Sequence, residues 1–274
     1  MNIERGLVKT TLGYVHYRAA GAAGGEAIFL QHINQQSSAL YLELMAELAP
    51  ALRVVAMDYP SHGHSDHVEQ QPAIEDYARC VVAVADALAI QKFSVLGEAV
   101  GASVSIELAA NHAQRVNKAV LVNCPYYKDR GVANARHAPL KSGLRPEDAS
   151  GFPLTRTLEF LLTNDPGHSP MQPTQSWMDR VNTAQIEAGR HRWQALDALH
   201  QYDLTANLQR MACPTLLLVG EHFYYVQHRD EFHNKNKNLQ SIVVPGARFC
   251  MGWERAADVG RHTLAFLRAT SPSG

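Results

Sequence analysis

Two hydrophobic rhythms alternate along the chain. Near-continuous apolar runs of strand length occur at 27–32 (AIFLQH), 53–59 (RVVAMDY), 93–96 (FSVL), 119–122 (AVLV), 215–220 (TLLLVG) and 241–246 (SIVVPG). Runs that are apolar on both faces suit strands buried in the middle of a sheet. Between them lie segments with apolar residues at helical spacing: Ala39–Leu48, Ala73–Leu88, ASVSIELAANHA after Gly101, and Glu254–Arg268. Ser37 and Ser38 can cap the first of these helices and Pro50 closes it. Val8–Arg18 alternates about Gly13 and predicts an opening hairpin. Alternating strands and helices indicate a mostly parallel α/β sheet with helices on both faces.

The rhythm breaks between residues 126 and 205. Prolines, glycines and charges are scattered there, with amphipathic pieces such as Thr155–Leu162 and Trp177–Ala188. This predicts a helical insertion, 126–205, lying as a lid on a core made of 1–125 and 206–274.

Composition narrows the function classes. The 274 residues carry 25 Lys and Arg against 26 Asp and Glu, so bulk charge gives no case for nucleic acid or an anionic membrane. No apolar run approaches a membrane span, and the N-terminus has no signal-type core, so a soluble cytoplasmic protein is expected. Cys80, Cys124, Cys213 and Cys250 are far apart and read as free thiols. His62, His64 and His67 with Asp66 match no zinc spacing, so no metal is expected. No phosphate-binding glycine motif is present, and no cofactor is expected. Partners reduce to a small-molecule ligand or substrate, with a homodimer left open.

Phe93–Gly101 (FSVLGEAVG) organises the rest. A strand, a glycine, a tight turn, a second glycine and a helix of small residues form the frame of a nucleophile elbow, G-x-S-x-G. The nucleophile's place is taken by Ala99. With this elbow, the loop Pro60–Asp66 (PSHGHSD), Gly220-Glu221-His222 and Pro245-Gly246-Ala247, the chain resembles the α/β-hydrolase superfamily, in particular its small lid-bearing hydrolases, from about residue 7 to 268. The resemblance implies an eight-stranded, mostly parallel sheet with a helical lid after the sixth strand. It also puts the acid of a Ser–His–acid triad at Phe223 and the histidine at Phe249. Together with Ala99, all three triad positions are then empty, and three losses read as natural where one could be a trapped variant. Serine-type ester hydrolysis is disfavoured, because no side chain activates a hydroxyl and relays its proton.

The remaining chemistry is open. By the resemblance, the Val100 N–H and a donor near Asn34 would form an oxyanion hole. Asn34, Gln35 and Gln36 equally suit loop solvation. Glu98, beside Ala99, is a general-base candidate at the pocket mouth, or a carboxylate pairing beneath the elbow. His32 is a proton-transfer candidate, or a structural histidine ending a buried strand. Tyr126, His222, Tyr224 and Arg248 can line an aromatic cavity with one cation, or pack sheet against lid. The leading expectation is a pocket for a small aromatic or carbonyl compound, with lyase, cyclase or decarboxylase chemistry if catalytic. A non-catalytic binding or scaffold protein, and a hydrolase using displaced residues, are the alternatives.

Overall fold

Gly13, at φ +90°, turns the first hairpin. Thr10 Oγ1 accepts from Leu12 N–H and donates to the Gly13 carbonyl, so β1 (Glu4–Thr10) and β2 (Gly13–Ala20) pair antiparallel. The computed structural model describes residues 1–126 and 173–269. There follow β3 (Ala27–Gln31), α1 (Leu42–Leu48), β4 (Arg53–Met57), α2 (Ile74–Ala87), β5 (Phe93–Glu98), α3 (Val100–Asn111) and β6 (Val116–Val122). From the insertion come α4 (Gln175–Ala188), α5 (Gln194–Gln201) and α6 (Leu204–Arg210). The core resumes with β7 (Thr215–Gly220), α7 (Arg229–Lys235), β8 (Leu239–Val244), α8 (Met251–Glu254) and α9 (Ala256–Arg268).

The described strands form one eight-stranded sheet in the order β1-β2-β4-β3-β5-β6-β7-β8. β2 also pairs antiparallel with β4, and every later pairing is parallel. Alternate residues feed two cores. Phe29, Val55, Val95, Leu121 and Leu217 face the side of α2, α3 and α5. Ile28, Val54, Leu96, Val120 and Leu216 face the side of α1 and α9. Covering both faces is what makes the strand sequences apolar throughout.

Element boundaries shift for local reasons. Ser37 Oγ does cap the first helical segment, but that segment opens as a 3-10 turn, Ser38–Tyr41. β4 stops at Met57, because the Asp58 carboxylate then turns to bind the Ser38 and His64 N–H groups. The last helix is broken at Arg255, whose backbone leaves the helical region at φ −124°, ψ 35°. The helix expected at Thr155–Leu162 lies outside the described residues. The expected core boundary at 205/206 falls inside α6, which packs on α3. No helix among the described residues is long and apolar enough to cross a membrane.

Candidate functional site

The elbow's shape follows from its two glycines. A Cβ on Gly97 would stand 2.0 Å from the Gly101 carbonyl oxygen, and one on Gly101 would stand 1.9 Å from that of Gln31. Neither position admits a side chain. Ala99 is held at φ 52°, ψ −113°, a strained conformation for a residue with a Cβ. Its N–H bonds the Val122 carbonyl at 3.0 Å and its own carbonyl accepts from Ala102 N–H at 3.0 Å. The Val100 N–H, first in α3, has no acceptor among the described residues.

The loops after β7 and β8 are locked back to back. Gly220 passes so near Ala247 that a Cβ would meet its carbonyl oxygen at 2.6 Å, and His222 N–H bonds that same carbonyl at 2.9 Å. This brings Phe223 and Phe249 together, their rings nearly parallel at 10° with centroids 6.2 Å apart. Phe223 is buried, while Phe249 and Ala99 are both partly buried against the apolar face of α1 and α9. The pair offers stacking and apolar surface, with no proton to give or take.

Glu98 lies elsewhere than the expected pocket mouth. It is fully buried, and its oxygens accept from Met251 N–H at 2.8 Å, Gly252 N–H at 3.0 Å and the Asn123 amide at 3.3 Å. Burial pushes its pKa up to about 7, against the lowering effect of these hydrogen bonds. The carboxylate ties the elbow to the start of α8 from below. Asn123, directly after β6, completes the tie. Its amide also donates to the Arg248 carbonyl at 2.7 Å, and its Oδ1 accepts from Gly220 N–H at 2.9 Å. Its place directly after an apolar strand was the available signal.

His32 is likewise enclosed. Its Nδ1 donates to the Ile33 carbonyl at 2.7 Å and its Nε2 accepts from Tyr59 N–H at 3.1 Å. Burial lowers its pKa to about 3, so it is neutral with both nitrogens engaged. Asn34 sits at the insertion's edge, where its Oδ1 accepts from Leu196 N–H in α5 at 3.1 Å. Tyr126 turns to His228 and Phe232. Tyr224 packs against Phe223 and Tyr225. His222 Nε2 stands 3.9 Å from Glu221. Arg248, the expected lone cation, has Glu254 at 3.5 Å. The structure therefore brings Phe223 and Phe249 together and encloses Glu98 and His32 completely.

His62, His64 and His67 diverge. His62 Nδ1 bonds the Pro60 carbonyl, His64 approaches Glu187 and His67 contacts the His191 ring. Among the described residues no group of three or more His, Cys, Asp or Glu side chains is placed to hold a metal. The four cysteines are unbridged, and burial raises the pKa of Cys124 and Cys250, which favours the thiol form. A groove of about 580 Å³ lies at the opposite end of the sheet, between the start of β4 and the end of β2, and includes none of the candidate residues.

Comparisons with known proteins agree with this architecture. A solved hydrolase from Pseudomonas aeruginosa superposes with a TM-score of 0.80 at 21% identity, covering 98% of this chain and 99% of that one. The dihydrolipoyllysine-residue acetyltransferase component of an acetoin cleaving system from Pseudomonas putida is 31% identical over 257 residues, 90% of this chain and 65% of that protein. The "Putative carbamate hydrolase RutD" of Variovorax paradoxus is 37% identical over 111 residues, 40% of this chain and 42% of its own length. Both alignments span less than two thirds of the relative. The model of the alpha/beta hydrolase family matches residues 21–262, and with the sheet order and the strained elbow just described, the chain belongs to that family.

Proposed function

We propose that this chain binds a small aromatic or carbonyl-bearing molecule over the elbow, beneath the insertion acting as a lid, and does not form an acyl-enzyme. The parallel Phe223–Phe249 stack, with Phe249 and Ala99 packed on the same apolar cluster, carries the reading. In the family those three positions hold acid, histidine and nucleophile, and here they supply an apolar wall. The Val100 N–H, without an acceptor among the described residues, is the donor for a ligand carbonyl or an enolate oxygen. Asn34 spends its Oδ1 on Leu196 and keeps its amide N–H groups for the same purpose. With such donors and no nucleophile, the supported chemistry is stabilisation of an enolate-like state, as in a lyase, cyclase or decarboxylase.

A second reading, a non-catalytic ligand-binding or scaffold protein, draws on the engagement of both Glu98 oxygens by the backbone of α8. It leaves the pocket without an evident base. Turnover of p-nitrophenyl acetate tests the shared part of both readings. The purified protein is expected to hydrolyse it no faster than its Ala99→Gly variant. Fast hydrolysis that persists in this variant would place the catalytic residues elsewhere, and fast hydrolysis lost in it would make the elbow itself reactive.

A further inference from the structure

The turn between α4 and α5 buries a cation without a counter-charge among the described residues. Arg192 is 5% exposed, its Nε is buried with no hydrogen-bond partner, and its guanidinium forms no ion pair or hydrogen bond with any described residue. Burial lowers its pKa, yet a guanidinium stays protonated at any working pH. A charge of this kind is costly unless an anion meets it. The contrast with other arginines is direct. Arg18, equally buried, donates to Ser38 Oγ within a cluster that includes the Asp58 carboxylate. Arg248 has Glu254 and Arg180 has Glu43.

Its position lies a helical turn from the loop after β3, which abuts the elbow at Gly101. Arg192 and Trp193 have right-handed helical backbone and lead directly into α5. Arg192 thus stands one helical turn before Leu196, on the same face. Leu196 is the residue whose N–H is held by Asn34, in the loop after β3. Leu196 also belongs to the apolar cluster that contains Val100 and Phe223. Burial lowers the pKa of the adjacent His191. Arg190, the next cation along the chain, is already paired with Glu69, so Arg192 stands as a single guanidinium whose planar fork matches a carboxylate.

We infer that the Arg192 guanidinium anchors the carboxylate of a small monoanionic ligand seated between α5 and the elbow, an assignment that rests on the pocket proposed above. It makes the ligand class an aromatic or enolisable carboxylic acid.

Benzoate and its neutral counterpart benzamide are suitable probes, compared by thermal shift and calorimetry on the native protein, Arg192→Met and Arg192→Lys. Benzoate is expected to bind the native protein at least ten-fold more tightly than benzamide. Arg192→Met should abolish that preference while leaving benzamide binding within two-fold, and Arg192→Lys should keep part of it. Equal binding of both probes by the native protein would overturn the carboxylate anchor and leave the pocket standing. Binding of neither would overturn both. Without any ligand, Arg192→Met should melt higher, by about 2–4 °C for each kcal/mol gained, because it removes an unpaired buried charge. A lower melting temperature would make the guanidinium structural and sink the assignment.

Discussion

Two buried carboxylates sit at the ends of β4 and β5, and their surroundings drive them in opposite directions. Asp58 has His16 Nδ1 at 2.8 Å and receives the Ser38 and His64 N–H groups. Burial alone would raise its pKa, but these partners outweigh burial and hold it well below the usual carboxylate range. Glu98 is as deeply buried and also receives hydrogen bonds, yet no cation among the described residues stands beside it, and its pKa rises to about 7. Enclosure is therefore the same at both sites, and the character of the partners sets the sign. Asp58 is a charge the fold wants. Glu98 is a hydrogen-bond acceptor whose charge the fold tolerates.

The largest expected effect comes from removing the favoured charge. Asp58→Ala leaves the Ser38 and His64 N–H groups and the His16–Arg18 cluster without their acceptor. A loss of about 3–5 kcal/mol is expected for breaking a buried paired group, read as an early urea midpoint. Asp58→Asn, which keeps the shape, should recover only part of it. Recovery of the full stability by Asn would break the comparison, since charge would then be irrelevant at Asp58.

The pH dependence follows in size. Glu98 has a folded pKa above its unfolded value of 4.5, so the folded form binds the extra proton. Its contribution is complete below 4.5 and is lost as pH rises through about 7, by about 3 kcal/mol in all at 1.36 kcal/mol per unit. Asp58 has a folded pKa below its unfolded value of 3.8, so its contribution is present above 3.8 and fails only in stronger acid. The two windows do not overlap. Urea melts at pH 5 and pH 8 should show the Glu98 slope, and Glu98→Gln should flatten it. A slope unchanged by that substitution would remove Glu98 as its source.

A smaller test sharpens what the Glu98 tie supports. Ala99→Gly relieves a strained turn and should stabilise the protein by about 1 kcal/mol. If the tie beneath the elbow holds that strain in place, Glu98→Gln should cost less in the Ala99→Gly background, by roughly 0.5 kcal/mol or more in a double-mutant cycle. Strict additivity would separate tie from turn. At the bottom of the scale stands the exposed pair of Arg190 and Glu69. Its removal by Glu69→Ala should change stability by less than about 0.5 kcal/mol, a control against which the buried groups stand out.

The sheet was legible because its strands are apolar on both faces, and a pattern of that kind survives any local accident. The elbow was legible because only glycine tolerates the approaches found at Gly97 and Gly101, so the spacing betrays the turn even with Ala99 at its apex. The directions of side chains were not legible. Glu98 occupies an alternating strand, and whether it faces a pocket or the α9 side depends on register with β6, which no local residue announces. The role of Asn123 depends on four chain segments meeting, and His32 is kept neutral by burial, with its Nε2 held by a backbone N–H twenty-seven residues away. The pairing of Arg248 with Glu254, and the lack of such a pairing at Arg192 among the described residues, are likewise properties of assembly and not of spacing.

Insertion and core also meet through Trp177 of α4 and Trp253 at α8, whose rings stack at 4.3 Å with a 22° tilt. Two indoles that close share their excited states, so the protein carries a built-in optical gauge of how the insertion is seated. Its near-ultraviolet circular dichroism should contain a coupled band that vanishes in Trp253→Phe. Any ligand that lifts α4 from the core should erase the same band without unfolding the sheet.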